Sequence, residues 1–113
     1  MTAPIIVRPP VAAEDLVYAD WVQFYDQLLS QVFAQDPERE PGWCPEWREH
    51  PAAAFTVAAL WRAFEQLQQD PGAGLASWLV NLAIPAMREL LDERGTFAGC
   101  SAERHTPTTR PLP

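Results

Sequence analysis

Lysine is missing altogether: the eight positive charges are all arginines, at positions 8, 39, 48, 62, 88, 94, 104 and 110, and no two are adjacent. A protein that binds nucleic acid by displacing counterions from phosphates needs a basic stripe, so nonspecific nucleic-acid binding is not expected. Long apolar runs are also lacking. No stretch of about eighteen apolar residues exists to span a bilayer, and Met1 to Pro10 has neither the basic start nor the hydrophobic centre of a signal peptide. The cytoplasm is therefore the expected compartment. Glycine is sparse, five in all, with no phosphate-cradling loop and no dinucleotide fingerprint. Cysteine is limited to Cys44 and Cys100 and histidine to His50 and His105. No Cys-x2-Cys pair announces a zinc knuckle, and no segment alternates apolar and polar residues between hairpin turns as a strand would.

What the chain does have is aromatic weight and negative charge. Five tryptophans and five phenylalanines stand in 113 residues, 48% of the chain is hydrophobic, and the formal charge is −7. That length admits one domain with one core. A domain of this size buries only about 60–65% of its unfolded surface, and large aromatics, at roughly 150–250 Å² each, make up part of the deficit. The acidic balance leaves open a basic protein as partner, since complementary charge speeds association.

Spacings of three and four predict three helices. The first is expected from Glu14 to Ala34, with Trp21, Phe24 and Leu28 on its inner face and Glu14 and Asp15 in its first turn. Pro37 ends it. The second is expected from Pro51 to Gln69, carrying Phe55, Leu60, Trp61 and Phe64, and Asp70-Pro71-Gly72 breaks it. The third is expected from Leu75 to Glu93, with Trp78, Leu82, Met87 and Leu90 inward, and Pro85 should kink or split it near Asn81 to Ile84. Between the first two lies a proline-rich connector, residues 36–50, whose Trp43 and Trp47 should fold back over the core, with a short turn near Pro45 to Glu49. The fold class is all-α: a small three-helix bundle, or four with the short turn, with a tryptophan-rich core and a proline-rich covering loop. Residues 1–13 form an extended lead-in, 14–100 the single helical domain, and 101–113 a tail with little to bury, expected to be disordered.

The string Trp43-Cys44-Pro45-Glu46-Trp47, followed by His50-Pro51 and by Leu60-Trp61-Arg62-Ala63-Phe64-Glu65, resembles the family of domains of unknown function DUF4913. The resemblance continues through Asp70, Gly74, Trp78, Pro85, Met87, Leu90, Leu91, Gly95, Phe97 and Cys100, and so covers about residues 16–100. It implies a small accessory protein of plasmids, integrative elements or phages, and brings no activity with it. Family members often carry histidines at the positions of Leu82 and Ala86 and an acid at that of Ile84. All three are apolar here, so a site built from those groups is absent.

Cys44, His50 and Cys100 are the metal-ligand candidates, with His105 as an outside fourth. Zinc takes four such donors in a tetrahedron, and a metal staple would help a small core. Against it stand the unusual Cys-x5-His spacing and the position of His105 in the tail. The plainer reading packs Cys44 beside Trp43 and Trp47 as a small apolar group and uses His50 to cap the second helix or to bond a local carbonyl. A Cys44–Cys100 disulfide is a third option, disfavoured by a reducing compartment. Arg62 and Glu65, three apart on the second helix, read as a surface ion pair and, with Arg48, as a contact surface. The leading functional expectation is a noncatalytic, acidic protein-interaction module of a mobile genetic element, without a cofactor and free to form a homodimer. The alternatives are a zinc-stabilised domain touching nucleic acid through Arg48 and Arg62, and an enzyme using Cys44.

Overall fold

Pro51 opens the longest helix, where its missing N–H costs nothing and its fixed φ suits the first turn. In the computed structural model, which describes residues 9–33, 42–100 and 105–106, this helix, α2, runs Pro51–Leu67. Its inward face comprises Ala53, Ala54, Val57, Ala58, Leu60, Trp61, Phe64 and Glu65. It packs against both other helices, α1 at residues 21–32 and α3 at residues 74–90. Among the described residues there is no strand, and the molecule is the small all-α bundle that the spacing predicts.

α1 and α3 each contain a π-helical stretch. α1 is α-helical over Trp21–Phe24, π-helical over Tyr25–Leu29 and α-helical again over Ser30–Val32. The Ser30 N–H reaches back five residues, to the Tyr25 carbonyl. α3 follows the same plan, with Gly74–Ser77, a π stretch Trp78–Ala83, and Ile84–Leu90. There the Ile84 N–H bonds to the Leu79 carbonyl, directly before Pro85, which has no N–H to give. The helix absorbs its proline by widening one turn.

Each widened turn moves the inward face on by one residue, because five residues rather than four now complete the return. After Phe24 the fully buried position is Leu29, and Leu28 is only partly covered. After Trp78 it is Ala83, and Leu82 is 39% exposed. The expectation that Leu82 belongs to the core is thus wrong, and the π turn is the reason. Phe55 also departs from expectation, standing on the outer side of α2 at 66% exposed.

The first helix starts at Trp21 rather than Glu14. Asp20 caps it by accepting from the Gln23 N–H at 2.8 Å, and the Gln23 side chain accepts from the N–H of Ala19, the residue before the cap, at 2.6 Å. Upstream there is only a 3₁₀ turn, Ala13–Asp15. The chain between is bound elsewhere: the Val17 and Tyr18 N–H groups donate to the Glu65 carboxylate at 2.8 and 2.9 Å, and the Tyr18 carbonyl accepts from the Trp61 indole at 3.2 Å. Backbone groups engaged by α2 are not free to build a helical turn. Glu65 is therefore fully buried, which corrects the surface ion pair with Arg62, whereas Arg48 and Arg62 are exposed. The carboxylate sits four residues after Trp61, on the same inward face.

The aromatic core has two connected parts. Phe24, Phe64 and Trp78 meet pairwise at 5.4–6.0 Å between α1, α2 and α3, and the Trp78 indole donates to the Leu60 carbonyl at 3.0 Å. Trp43 and Trp47 cover the outer side as anticipated, with Trp43 stacked on Tyr25 at 5.2 Å and Trp47 edge-on to Trp21 at 5.6 Å. Trp47 lies in a short 3₁₀ turn, Trp47–Glu49. Residues 34–41, with the expected last residue of the first helix and the start of the proline-rich connector, lie outside the described set, as do 1–8, 101–104 and 107–113, on which most of the lead-in and of the disordered tail was expected.

Candidate metal centre

Two loops meet at one end of α2. The first, residues 42–50, contributes Cys44 at its start and His50 at its end, immediately before Pro51. The second turns back after α3. The Ala98 N–H bonds to the Gly95 carbonyl and the Cys100 N–H to the Phe97 carbonyl, so that Cys100 is delivered to the first loop, where the Gly42 N–H holds its carbonyl at 3.0 Å. Gly99 permits this course by adopting φ +85°, a left-handed backbone that a side chain disfavours.

His105 completes the set. Its neighbour is bound at this point: the Thr106 hydroxyl donates to the Gly99 carbonyl at 2.9 Å, and the Thr106 N–H to Cys100 Sγ at 3.3 Å. His105 Nδ1 lies 3.0 Å from Cys44 Sγ, and His50 Nε2 lies 3.7 Å from Cys100 Sγ. The ligand atoms of Cys44, His50, Cys100 and His105 all stand within 4.8 Å of one another. A tetrahedral zinc site with bonds of about 2.0–2.3 Å has ligand-to-ligand edges of roughly 3.3–3.8 Å. The four donors approach this arrangement: the 3.0 Å pair of Cys44 and His105 must open slightly, and the widest pairs must close by about 1 Å.

The surroundings suit a metal. Cys44, His50 and Cys100 are fully buried and His105 is partly so. Phe97 presses edge-on against the His50 ring at 5.1 Å, and the two imidazoles meet edge-on at 4.9 Å, which sets the His50 ring plane. Each sulfur accepts a backbone N–H, from Glu46 for Cys44 and from Thr106 for Cys100. Such outer bonds orient ligands and stabilise thiolates. Burial holds the His50 imidazole below its usual range, helped by the nearby His105 and opposed by Glu49, which keeps it in the neutral form a metal needs. Burial foremost pushes the Cys44 thiol up to about 12, with the Cys100 thiol adding and the Glu46 N–H opposing. Without a cation the sulfur keeps its proton, and a divalent ion would displace it.

The sequence reading placed three of these ligands and set the fourth aside. Of the two plainer roles for His50, the capping one is not seen: its side chain makes no capping hydrogen bond to α2, and its Nε2 faces Cys100 Sγ. The signal for His105 was the spacing itself: Cys100-x4-His105 mirrors Cys44-x5-His50, two like pairs on either side of α2 and α3.

Fold and cluster together define a small all-α domain whose two loops converge on a Cys2His2 set. The chain belongs to the DUF4913 family, a domain of unknown function, whose family model matches residues 18–113 and so includes all four ligand positions. No curated protein and no solved structure matches the chain significantly.

Proposed function

We propose that the chain is a zinc-stapled, noncatalytic helical domain that works by binding another protein. The observation carrying this is the convergence within 4.8 Å of four zinc-type donors, two from just before α2 and two from beyond α3. Four protein ligands close the coordination sphere, which is the mark of a structural site, whereas a catalytic zinc keeps a position open. A cysteine-enzyme reading is disfavoured by the same pocket, because a nucleophilic thiol is exposed and its pKa lowered, and Cys44 has neither property. Joining segments 50 and 61 residues apart removes unfolded-state entropy of about 4 kcal/mol in the loop-closure model. For a domain this small that is a large share of the total.

The acidic surface, at −7 with no lysine, favours a basic protein partner. The mobile-element accessory role implied by the family fits a domain of this kind. The test is metal analysis of protein purified without added metal, followed by chelation. One zinc per chain, with chelator-induced loss of far-ultraviolet helix signal that zinc restores, is the expected result. Protein that is metal-free when purified, ignores added zinc and melts at the same temperature with or without chelator refutes the staple. Salt-sensitive binding to DNA through Arg48 and Arg62 would instead favour a nucleic-acid partner.

A further inference from the structure

Two thiols that share an ion are also held within reach of each other. The Cys44 and Cys100 sulfurs lie within 4.8 Å, and a disulfide needs about 2.05 Å, so a closing movement of under about 3 Å would join them. Both sit on loops rather than in helices, and the Gly42 to Cys100 backbone bond already ties those loops together. They are the only cysteines in the chain, so a sulfur oxidised on one has a single partner within the molecule. Three of the four ligands are fully buried, and His105 forms the outer side.

We propose that Cys44 and Cys100 form a reversible redox switch, in which a peroxide oxidises the metal-binding thiolate pair to a disulfide and expels the ion. The proposal rests on the metal reading of these four residues. One thiolate attacks a peroxide oxygen, the O–O bond breaks, and a sulfenic acid and hydroxide result. The second thiolate attacks that sulfur, the S–S bond forms, the S–O bond breaks, and a second hydroxide leaves. Two electrons pass from the sulfurs to the peroxide, and two protons from solvent complete two waters. The zinc ion keeps its oxidation state throughout. It loses both anionic ligands, and two imidazoles alone do not retain it. A dithiol reductant reverses the change, as expected for redox-sensing disulfides of reducing compartments.

The experiment treats zinc-loaded full-length protein with hydrogen peroxide at neutral pH while a chromophoric chelator reports zinc. The protein is then denatured, free thiols are alkylated, and intact and peptide masses are measured. Expected are one zinc released per two thiols lost, an intact mass lower by about 2 Da, a Cys44 peptide linked to a Cys100 peptide, and renewed zinc binding after dithiothreitol. The Cys44→Ser variant should accumulate singly oxidised Cys100 with no internal link. Sulfinic acid on one cysteine, a link between two chains, or zinc retained at peroxide levels that oxidise a model dithiol would each overturn the switch. Parallel oxidation of metal-free protein separates the two readings. Stoichiometric zinc without a link sinks only the switch, and a link in protein that never binds zinc sinks the staple and with it the zinc-release step.

Discussion

Replacing Glu65 by alanine should destabilise the domain far more than an exposed glutamate would. The carboxylate is fully buried and receives the Val17 and Tyr18 N–H groups at 2.8 and 2.9 Å. Hydrogen bonds to a charged group contribute roughly 1.5–3 kcal/mol each. Two terms reduce that sum. The variant no longer buries a charge, and Val17, at 52% exposed, lets its freed amide turn to water. The net loss should be about 2–4 kcal/mol, which for a domain of this size lowers Tm by roughly 10–25 °C. Urea unfolding followed by tryptophan fluorescence, at fixed zinc, measures it. Amide hydrogen exchange localises it: Val17 and Tyr18 should lose protection ahead of the α2 interior. Glu65→Gln should fall between the two, because an amide oxygen replaces one acceptor and its NH2 opposes the other N–H. Arg62→Ala should stay within about 0.5 kcal/mol of the parent. A Glu65→Ala loss below about 0.5 kcal/mol, or an equal loss for Arg62→Ala, would refute the anchoring role.

Other outcomes follow from the same geometry. A Cβ at Gly74 would stand 1.8 Å from the Leu67 carbonyl oxygen, so Gly74→Ala must part α2 from α3 and should cost at least about 3 kcal/mol by urea unfolding. At Gly99 an added Cβ meets the Thr106 side chain at 2.9–3.3 Å on a left-handed backbone. Gly99→Ala should therefore weaken zinc binding about 10–100-fold in a chelator competition, with the helix signal of the zinc-saturated protein unchanged. Burial, helped by Asp26 and opposed by Trp43, raises the Tyr25 hydroxyl to about 12, against about 10 for a free phenol. The folded form then holds its proton where the unfolded chain has lost it, so stability is fully present below about pH 10 and declines between about 10 and 12. Tyr25→Phe should flatten that decline in thermal melts across the range.

The reach of the sequence differed between helices. α2 was legible almost to the residue, because Pro51 marks its start, its apolar positions keep one period, and Asp70-Pro71-Gly72 follows its last turn. α1 and α3 were legible as helices but not in phase beyond Phe24 and Trp78, since each inserts a widened turn that no spacing rule for a regular helix anticipates. Leu82 falls outside the core for that reason, and Leu28 packs against it only in part. The start of α1 was written in the Asp20-x-x-Gln23 cap, and the acidic Glu14 and Asp15 obscured it. Glu65 was misread because charge was taken to mean surface, although its place four residues after Trp61 lay within the apolar arc. At the cluster, Cys44, His50 and Cys100 could be named from their chemistry. Their meeting depends on contacts 50 and 61 residues apart, which local pattern does not encode.

The placement of the ligand pairs gives the domain an unusual topology when metal is bound. Cys44 and His50 precede α2 and Cys100 and His105 follow α3, so the ion closes the chain into a ring that contains both helices. Neither helix can then leave the bundle as a free end, and peeling from the C-terminal side stops at the ion. The N-terminal segment with α1 remains outside the ring, so opening should begin there, and the lifetime of the native state should follow how fast the ion lets go.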